Sequence, residues 1–576
     1  MRAGHWAEGG RGRAEWAVLA VAMAAAALLL LWEGRGLTLF VDEWTFGFGF
    51  RTGHDLSAFL APDNGHLALV PVLITKASLQ LFGATTALPL RLVSVAAHLS
   101  VSLFFYLLAR RAIGGRAALA PTVLILFFGA ASDLLIGSHG MPMLIAVAAG
   151  LGAWIALGVG TRSWDAVAAG LLVVGIASNG LALPFLAGAA AIVVLAPAPV
   201  RRLWVPLLPL LLYVAWQFAY GDDGQSEFAF ANIGGLPAFA FDSLGAELAA
   251  ITGLFTEAGA ERQSFNPQAG EALAGAIIVA GVAVAVLGRW RLPRATIPPA
   301  VALLCLWLLT GMVASPARQP VSARYLYAGA ILILLAAAAA IGTSPLRRRA
   351  SLAMIGVCAV GLLPNLRELD YGATFFRAQS DQDKAVLAAA DLLPASAPGA
   401  TPIEIDTEQT GDVVADMRFS LDAYRAATQR FGSPAYSLEQ LEGADAASRE
   451  VADRFLGRVL APGLLPATGP PSALPVGLES DVEAGRASRR GGCVAFEPQA
   501  PGAWLTIQLP PGGLWIRPQE GAEAPVDLRR FGDGFPVAAG AAPGDRPSVL
   551  PWTADSAGQG WEAQLAPQQP ILVCGR

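Results

Sequence analysis

Long stretches of this chain carry no charge, and that restricts its folding more than any motif does. Residues 166–200 hold no charged side chain, and 117–161 hold one, Asp133. A bilayer core is about 30 Å thick, so a spanning helix needs roughly 20 mostly apolar residues. The charge-poor runs at 16–32, 87–109, 117–161, 166–200, 203–220, 272–288, 295–315, 325–343 and 350–366 are therefore read as membrane spans. The third run breaks at 132–140, and Ser178-Asn179-Gly180 supplies a turn in the fourth, so each crosses twice and the count is eleven. Only 14% of the 576 residues are charged, against about 25% in soluble proteins. Mean hydropathy is +0.52 and net charge −5. This excludes a disordered or fibrous chain and offers no basic field for nucleic acid.

Arginine placement orients the bundle. Cytoplasmic loops collect positive charge. With the N-terminus inside, segments 1–15, 110–116, 162–164, 197–202, 289–294 and 344–349 carry fifteen arginines. The outside segments carry five: Arg35, Arg51, Arg262, Arg318 and Arg324. A full span at 66–82 inverts every later loop, so that segment is read as a re-entrant or surface-lying helix. The first span follows a basic stretch, as a signal peptide does, but no small-residue cleavage site follows it. It is read as a retained anchor in a multi-pass plasma-membrane protein.

The expected domains are a basic cytoplasmic N-terminus at 1–15, a helical membrane domain at 16–366 with an outer loop at 33–86, and an extracytoplasmic tail. The tail divides into a mainly helical region at 367–470, with amphipathic stretches at 381–393, 412–431 and 437–456, and a final part at 471–576. Short alternating runs such as 503–509 and 513–517 mark that final part as a β-sandwich. Cys493 and Cys574 flank it on the oxidising side and are expected to form a disulfide. Cys305 and Cys358 lie within spans and read as small apolar residues.

The polar residues that the membrane does not explain gather in the segments assigned outside. The first outer loop holds the Asp42-Glu43 pair between Phe40 and Trp44, then Asn64 and His66. Desolvation raises a carboxylate pKa and makes a better base, while a nearby cation lowers it. The same loop also reads as an ordinary hydrated segment with an interfacial aromatic belt. Asp133 shares a short outer turn with His139; it is a functional candidate or a helix cap. Arg324 opens a span, where its guanidinium suits a phosphate, and Tyr325 and Tyr327 suit an amphipathic groove. Arg91 has the same reading, and for both arginines snorkelling is the plain alternative. Asp222, Asp223, Glu257 and Glu261 read as parts of a solvated outer loop at 221–270. No zinc-ligand spacing, phosphate loop or nucleophile elbow is present, and no cofactor is expected; a divalent metal is left open.

In order along the chain, these residues resemble the GT-C membrane glycosyltransferases, especially protein O-mannosyltransferases and lipid A aminoarabinose transferases. The likeness rests on Asp42-Glu43 after the first span, His66 to Pro71 in a loop helix, Phe82-Gly83, and Arg91-Leu92-Val93-Ser94 at a helix start. Asp133 in the next outer loop and the Ala-Arg-Tyr-Leu-Tyr run at 323–327 complete it. It covers roughly 35–365; the tail resembles only the appended extracytoplasmic domains of actinobacterial members. The acidic pair here is followed by Trp44, and Leu67-Ala68-Leu69-Val70 stands where a Pro-Pro pair is usual.

The resemblance implies transfer of a sugar from a polyprenyl-phosphate donor to a glycan, lipid or protein acceptor outside the cytoplasm, with inversion. Asp42 would be the general base, with Glu43 and Asp133 orienting acceptor and sugar hydroxyls. His66, Asn64 and His139 would orient substrate hydroxyls, and Arg324, Arg91, Tyr325 and Tyr327 would receive the donor. Two other classes stay open: a transporter or flippase of a lipid-linked or polar substrate, and a membrane scaffold with a glycan-binding outer domain.

Overall fold

The computed structural model of the protein describes residues 10–40, 42–47, 56–221, 228–256, 264–265, 267–286, 293–315, 318–344, 347–403, 419–461, 463–475, 480–558 and 560–576. The chain divides into two compact units: Met1–Phe82 with Thr86–Arg377, and Gly83–Thr85 with Ala378–Arg576.

The first unit is helical. It begins with α1 (Gly10–Glu33), α2 (Asp42–Gly47), α3 (Leu56–Leu60), the strand pair β1 (Pro62–Asp63) and β2 (His66–Leu67), and α4 (Leu69–Phe82). Next come α5 (Leu88–Ile113), α6 (Gly115–Leu126), α7 (Ser132–Ile136), α8 (Met141–Leu157), α9 (Arg162–Ile176), α10 (Ala182–Val194) and α11 (Trp204–Tyr220). They are followed by α12 (Leu236–Thr252), the strand pair β3 (Phe255–Thr256) and β4 (Ser264–Phe265), α13 (Pro267–Val286), α14 (Ile297–Met312), α15 (Ala323–Gly342) and α16 (Arg347–Leu392). Proline sits in the first turn of α5, α8, α12 and α14, where its missing N–H leaves no bond unmade.

Each of the eleven expected spans coincides with a helix: α1, α5, α6, α8 to α11, and α13 to α16. Among the described residues, five helices are long and apolar enough to cross a membrane, and a sixth span forms if α6 and the segment through α7, bent by 41°, count as one. Of the others, α8, α10, α11 and α13 are shorter apolar helices. Their outward faces are what lipid requires. Leu28 on α1 is 71% exposed, Phe218 on α11 88% and Val286 on α13 80%. In water, such faces lose roughly 25 cal/mol per Å² of exposed apolar surface; against acyl chains they lose nothing.

The buried centre is made by α5, α8, α10 and α15, through small residues that let backbones approach. Trp154 on α8 lies over Gly188 on α10, where an added Cβ would stand 2.1 Å from its ring. Its Nε1 donates to the Phe185 carbonyl at 2.9 Å, which fixes the α8–α10 register.

Two expectations change. The segment read as a solvated loop at 221–270 contains α12, a 17-residue helix whose inner face is buried and which packs on α13, α14 and α15. Asp222, Asp223, Glu257 and Glu261 lie outside the described residues. The last span at 350–366 and the amphipathic stretch at 381–393 are parts of one 46-residue helix, α16, and the boundary between the units falls within it at Arg377/Ala378.

The second unit continues with β5 (Pro402–Ile403), β6 (Phe419–Ser420), α17 (Leu421–Phe431), α18 (Leu438–Glu442) and α19 (Ala446–Leu460). Ser437 and Gln440 close a reciprocal capping box on α18. Then come β7 (Leu465–Pro466), β8 (Ser480–Glu483), β9 (Gly485–Arg490), β10 (Cys493–Pro498), β11 (Trp504–Gln508), β12 (Gly512–Pro518), β13 (Glu523–Arg529), β14 (Val537–Pro543), β15 (Ser548–Trp552), β16 (Glu562–Leu565) and β17 (Ile571–Gly575). They form two antiparallel sheets, ordered β7-β15-β12-β17-β10-β9 and β14-β13-β16-β11-β8. Alternate residues such as Phe496, Ile516, Leu505 and Leu565 supply a buried face on each sheet. Cys493 and Cys574 are joined by a disulfide between the neighbouring strands β10 and β17. Asp453 on α19 accepts the backbone N–H groups of Arg530, Phe531 and Gly532 at 2.8–2.9 Å, which pins the turn after β13.

One buried acid gives this unit a pH dependence. Asp383 is fully buried, with Gln379 Nε2 at 3.4 Å from its carboxylate. Burial pushes its carboxyl from 3.8 up to about 8. The unfolded chain releases that proton near its ordinary value and the folded chain retains it, so stability falls as pH rises between about 4 and 8. Asp383→Asn is expected to flatten this slope and to raise the thermal midpoint relative to the parent at pH 8, read from melting curves across pH.

Candidate functional site

The outer-loop elements are tied to one end of the helical bundle. Phe46 on α2 packs with Ala68 and Val72 at the start of α4, and Phe59 on α3 leans on them. The Val70 N–H donates to the Ala177 carbonyl just past α9, and Trp216 Nε1 on α11 donates to the Leu60 carbonyl at 2.8 Å. Strands β1 and β2 pair around a two-residue turn, Asn64-Gly65, with φ of 48° and 76°. An Asn-Gly pair is favoured there because both positions need positive φ. Asn64 is exposed at the tip, and the turn accounts for its residue type. The ends joined in this way belong to the segments that arginine counting places outside. The ion pair Glu15–Arg116 joins two segments of the inside set, and Arg202 of that set pairs with Asp165, the residue next to its 162–164 segment.

Glu43 is buried, at 1% exposure. Its Oε2 accepts the Phe40 N–H at 2.8 Å, which fixes the entry to α2. Burial raises its carboxyl above the ordinary 4.5, and the Ser138 hydroxyl, His139, the Phe40 N–H and Arg91 oppose the rise. The backbone of Asp42 opens α2, but its side chain lies outside the described residues.

Asp133 and His139 form a dyad across the turn between α7 and α8, with His139 Nε2 2.6 Å from Asp133 Oδ1. Phe40 and Phe376 flank the imidazole at ring distances of 4.9 and 5.6 Å. Asp133 is the open member, with its side chain 53% exposed. The α2 acid and the dyad meet at Glu43, which feels both Ser138 and His139.

A second, cationic group stands at the same end. His66 follows the hairpin turn, and its Nδ1 lies 2.7 Å from where a Cβ on residue 180 would sit. Burial, with Arg318 and Arg324 adding to it, lowers the imidazole from 6.5 to about 4. His66 is therefore neutral at physiological pH, with two guanidinium charges nearby. Arg324 opens α15, and its guanidinium lies 5.2 Å from the centre of the Tyr325 ring.

Two residues expected to meet substrate are occupied otherwise. Arg91 donates to the backbone carbonyls of Leu30, Leu31 and Ile136. Tyr327 does not line a groove: it is 1% exposed, and its hydroxyl lies 2.8 Å from His98 Nδ1. His98 Nε2 faces the Leu126 carbonyl at 3.2 Å. A carbonyl only accepts, so Nε2 carries the proton and Nδ1 accepts from Tyr327.

Sequence reasoning did not single out His98, Ser138, Asn365 or Glu247. Asn365 donates to the Ala250 and Gly361 carbonyls and accepts the Ala130 N–H, joining α12, α16 and the break after α6. Glu247, buried on α12, accepts Trp307 Nε1 at 3.0 Å. Among the described residues, no group of three or more His, Cys, Asp or Glu is placed to hold a metal ion.

No family model and no curated protein matches the chain. Among solved structures, it is similar to the crystal structure of ArnT from Cupriavidus metallidurans bound to undecaprenyl phosphate. That match has a TM-score of 0.42 and 15% identity, over 70% of this chain and 84% of the other. It is also similar to the apo state of the same protein, with a TM-score of 0.41 and 16% identity, over 74% of this chain and 90% of the other.

Tyr327→Phe strands a buried histidine nitrogen and is expected to lower unfolding free energy by about 1–3 kcal/mol. Because one bond serves both residues, the effects of Tyr327→Phe and His98→Ala should be less than additive in thermal or chemical melts.

Proposed function

We propose that this protein is a membrane glycosyltransferase of the GT-C kind. It transfers a sugar from a polyprenyl-phosphate donor to an acceptor hydroxyl on the extracytoplasmic face. The observation that carries this reading is the gathering of unlike polar groups at one end of an apolar bundle. The α2 acids, the Asp133–His139 dyad and the His66–Arg318–Arg324 group all come from segments that the charge pattern assigns outside. A lipid-borne donor suits such a site: its tail stays in hydrocarbon while its phosphate reaches the membrane surface.

In the proposed reaction, Asp42 accepts the proton of the acceptor hydroxyl. The acceptor oxygen forms a bond to the anomeric carbon as the bond from that carbon to the phosphate oxygen breaks, inverting the centre. Negative charge grows on the departing polyprenyl phosphate, and Arg324 and Arg318 offset it. His66, neutral beside them, orients a phosphate or sugar hydroxyl without adding charge. Asp133, held by His139, binds sugar or acceptor hydroxyls from the open side. Glu43, too buried to meet the acceptor, sets the start of α2 on which Asp42 stands.

Two outcomes test the scheme in purified protein supplied with a panel of polyprenyl-phosphate sugars, with loss of the lipid donor as the readout. Asp42→Asn is expected to lower kcat by about 10²–10⁴ while membrane insertion and donor binding persist. Arg324→Gln is expected to weaken donor binding as well as turnover. Normal turnover by Asp42→Asn removes the assigned base.

A further inference from the structure

The transfer scheme leaves Arg91 without a task, and its surroundings supply one. The residue is 4% exposed, inside the first turns of α5. Its Nη2 donates to the Leu30 carbonyl at 2.6 Å and to that of Leu31 at 3.4 Å, and its Nε donates to the Ile136 carbonyl at 3.3 Å. Leu30 and Leu31 lie in the last turn of α1, and Ile136 ends α7. Carbonyls of a last helical turn concentrate partial negative charge and have few or no intrahelical partners; that of Leu30 also accepts the Gly34 N–H at 3.1 Å, so Arg91 is its second donor. One guanidinium from α5 thus closes two other helices, and it also lies within electrostatic reach of the buried Glu43 carboxylate.

We infer that Arg91 is a positioning residue: it staples the ends of α1 and α7 and balances the charge of Glu43, and so fixes the start of α2 where Asp42 stands. This rests on the transfer reading for its consequence in catalysis, but the stapling itself does not. Lysine is a poor substitute, because a single ammonium lacks the planar fork that reaches carbonyls on two helices. The charge balance runs both ways. Without Arg91, Glu43 is a buried carboxylate with less compensation, and neutralising Glu43 as well relieves that penalty.

The experiment compares the full-length wild type with Arg91→Lys, Arg91→Gln, Glu43→Gln and the Arg91→Gln/Glu43→Gln double variant. It measures kcat, donor KM and the thermal midpoint in detergent. For Arg91→Lys, kcat is expected to fall about tenfold or more through misplacement, with donor KM within about twofold of wild type. The double variant should recover midpoint and kcat relative to Arg91→Gln. A rise of about tenfold or more in donor KM, with kcat retained, assigns Arg91 to the donor phosphate and overturns the inference. A double variant no better than Arg91→Gln overturns the charge balance. If the wild type consumes no lipid donor, the transfer scheme fails, while the midpoints still decide the stapling and the charge balance.

Discussion

Hydrocarbon tolerates charge poorly, at about 2.5–3.5 kcal/mol for an ionisable side chain at the centre of a spanning helix by insertion scales. The first unit is arranged around that constraint. Its long helices are nearly free of charge, and the ionisable groups collect at their ends or find partners indoors. Arg91 spends its donors on carbonyls, His98 is shared between Tyr327 and Leu126, and Glu247 takes the Trp307 N–H. A chemical site in such a molecule has few places to be. In the proposed reading it falls where the loop read as outer, the turn around Asp133 and the start of α15 supply acids, imidazoles and guanidiniums together.

The second unit answers to different physics. Its chain is rich in glycine and proline, and its strands are short. It holds its sheets with alternating apolar residues, with the clasp of Asp453 on the β13 turn and with the Cys493–Cys574 cross-link. A bond closing so long a loop restricts the unfolded chain by about 4 kcal/mol or more in the entropic account. Its buried Asp383 carries an opposite tendency, favouring the folded state most when protonated.

Much of this was legible in the residues. Charge-poor runs mark the eleven helices read as spans, because burial in lipid writes itself directly into composition. The strands of the tail showed in their alternation, and the Asn64-Gly65 pair was a readable hairpin signal that the loop reading passed over. Helix α12 escaped because Asp242 and Glu247 make its sequence look like a solvated loop; its burial depends on neighbours far along the chain. The Tyr327 pairing escaped for the same reason. A tyrosine near the start of a span looks interfacial, and only the packing of α5 against α15 brings His98 to it. In the site, residue types were readable but their assignments were not. Nothing local distinguishes an arginine that awaits a phosphate from one whose donors are already spent on helix ends.

Sidedness is the claim on which the functional account turns, and one labelling measurement addresses it directly. Asn64→Cys, in a background with Cys305→Ser and Cys358→Ser, places a lone reactive thiol at the exposed hairpin tip. A membrane-impermeant maleimide added to intact cells should label that thiol fully, and blocking it from outside should leave none to label after lysis. Labelling that requires lysis or inverted vesicles puts the loop in the cytosol and contradicts the account.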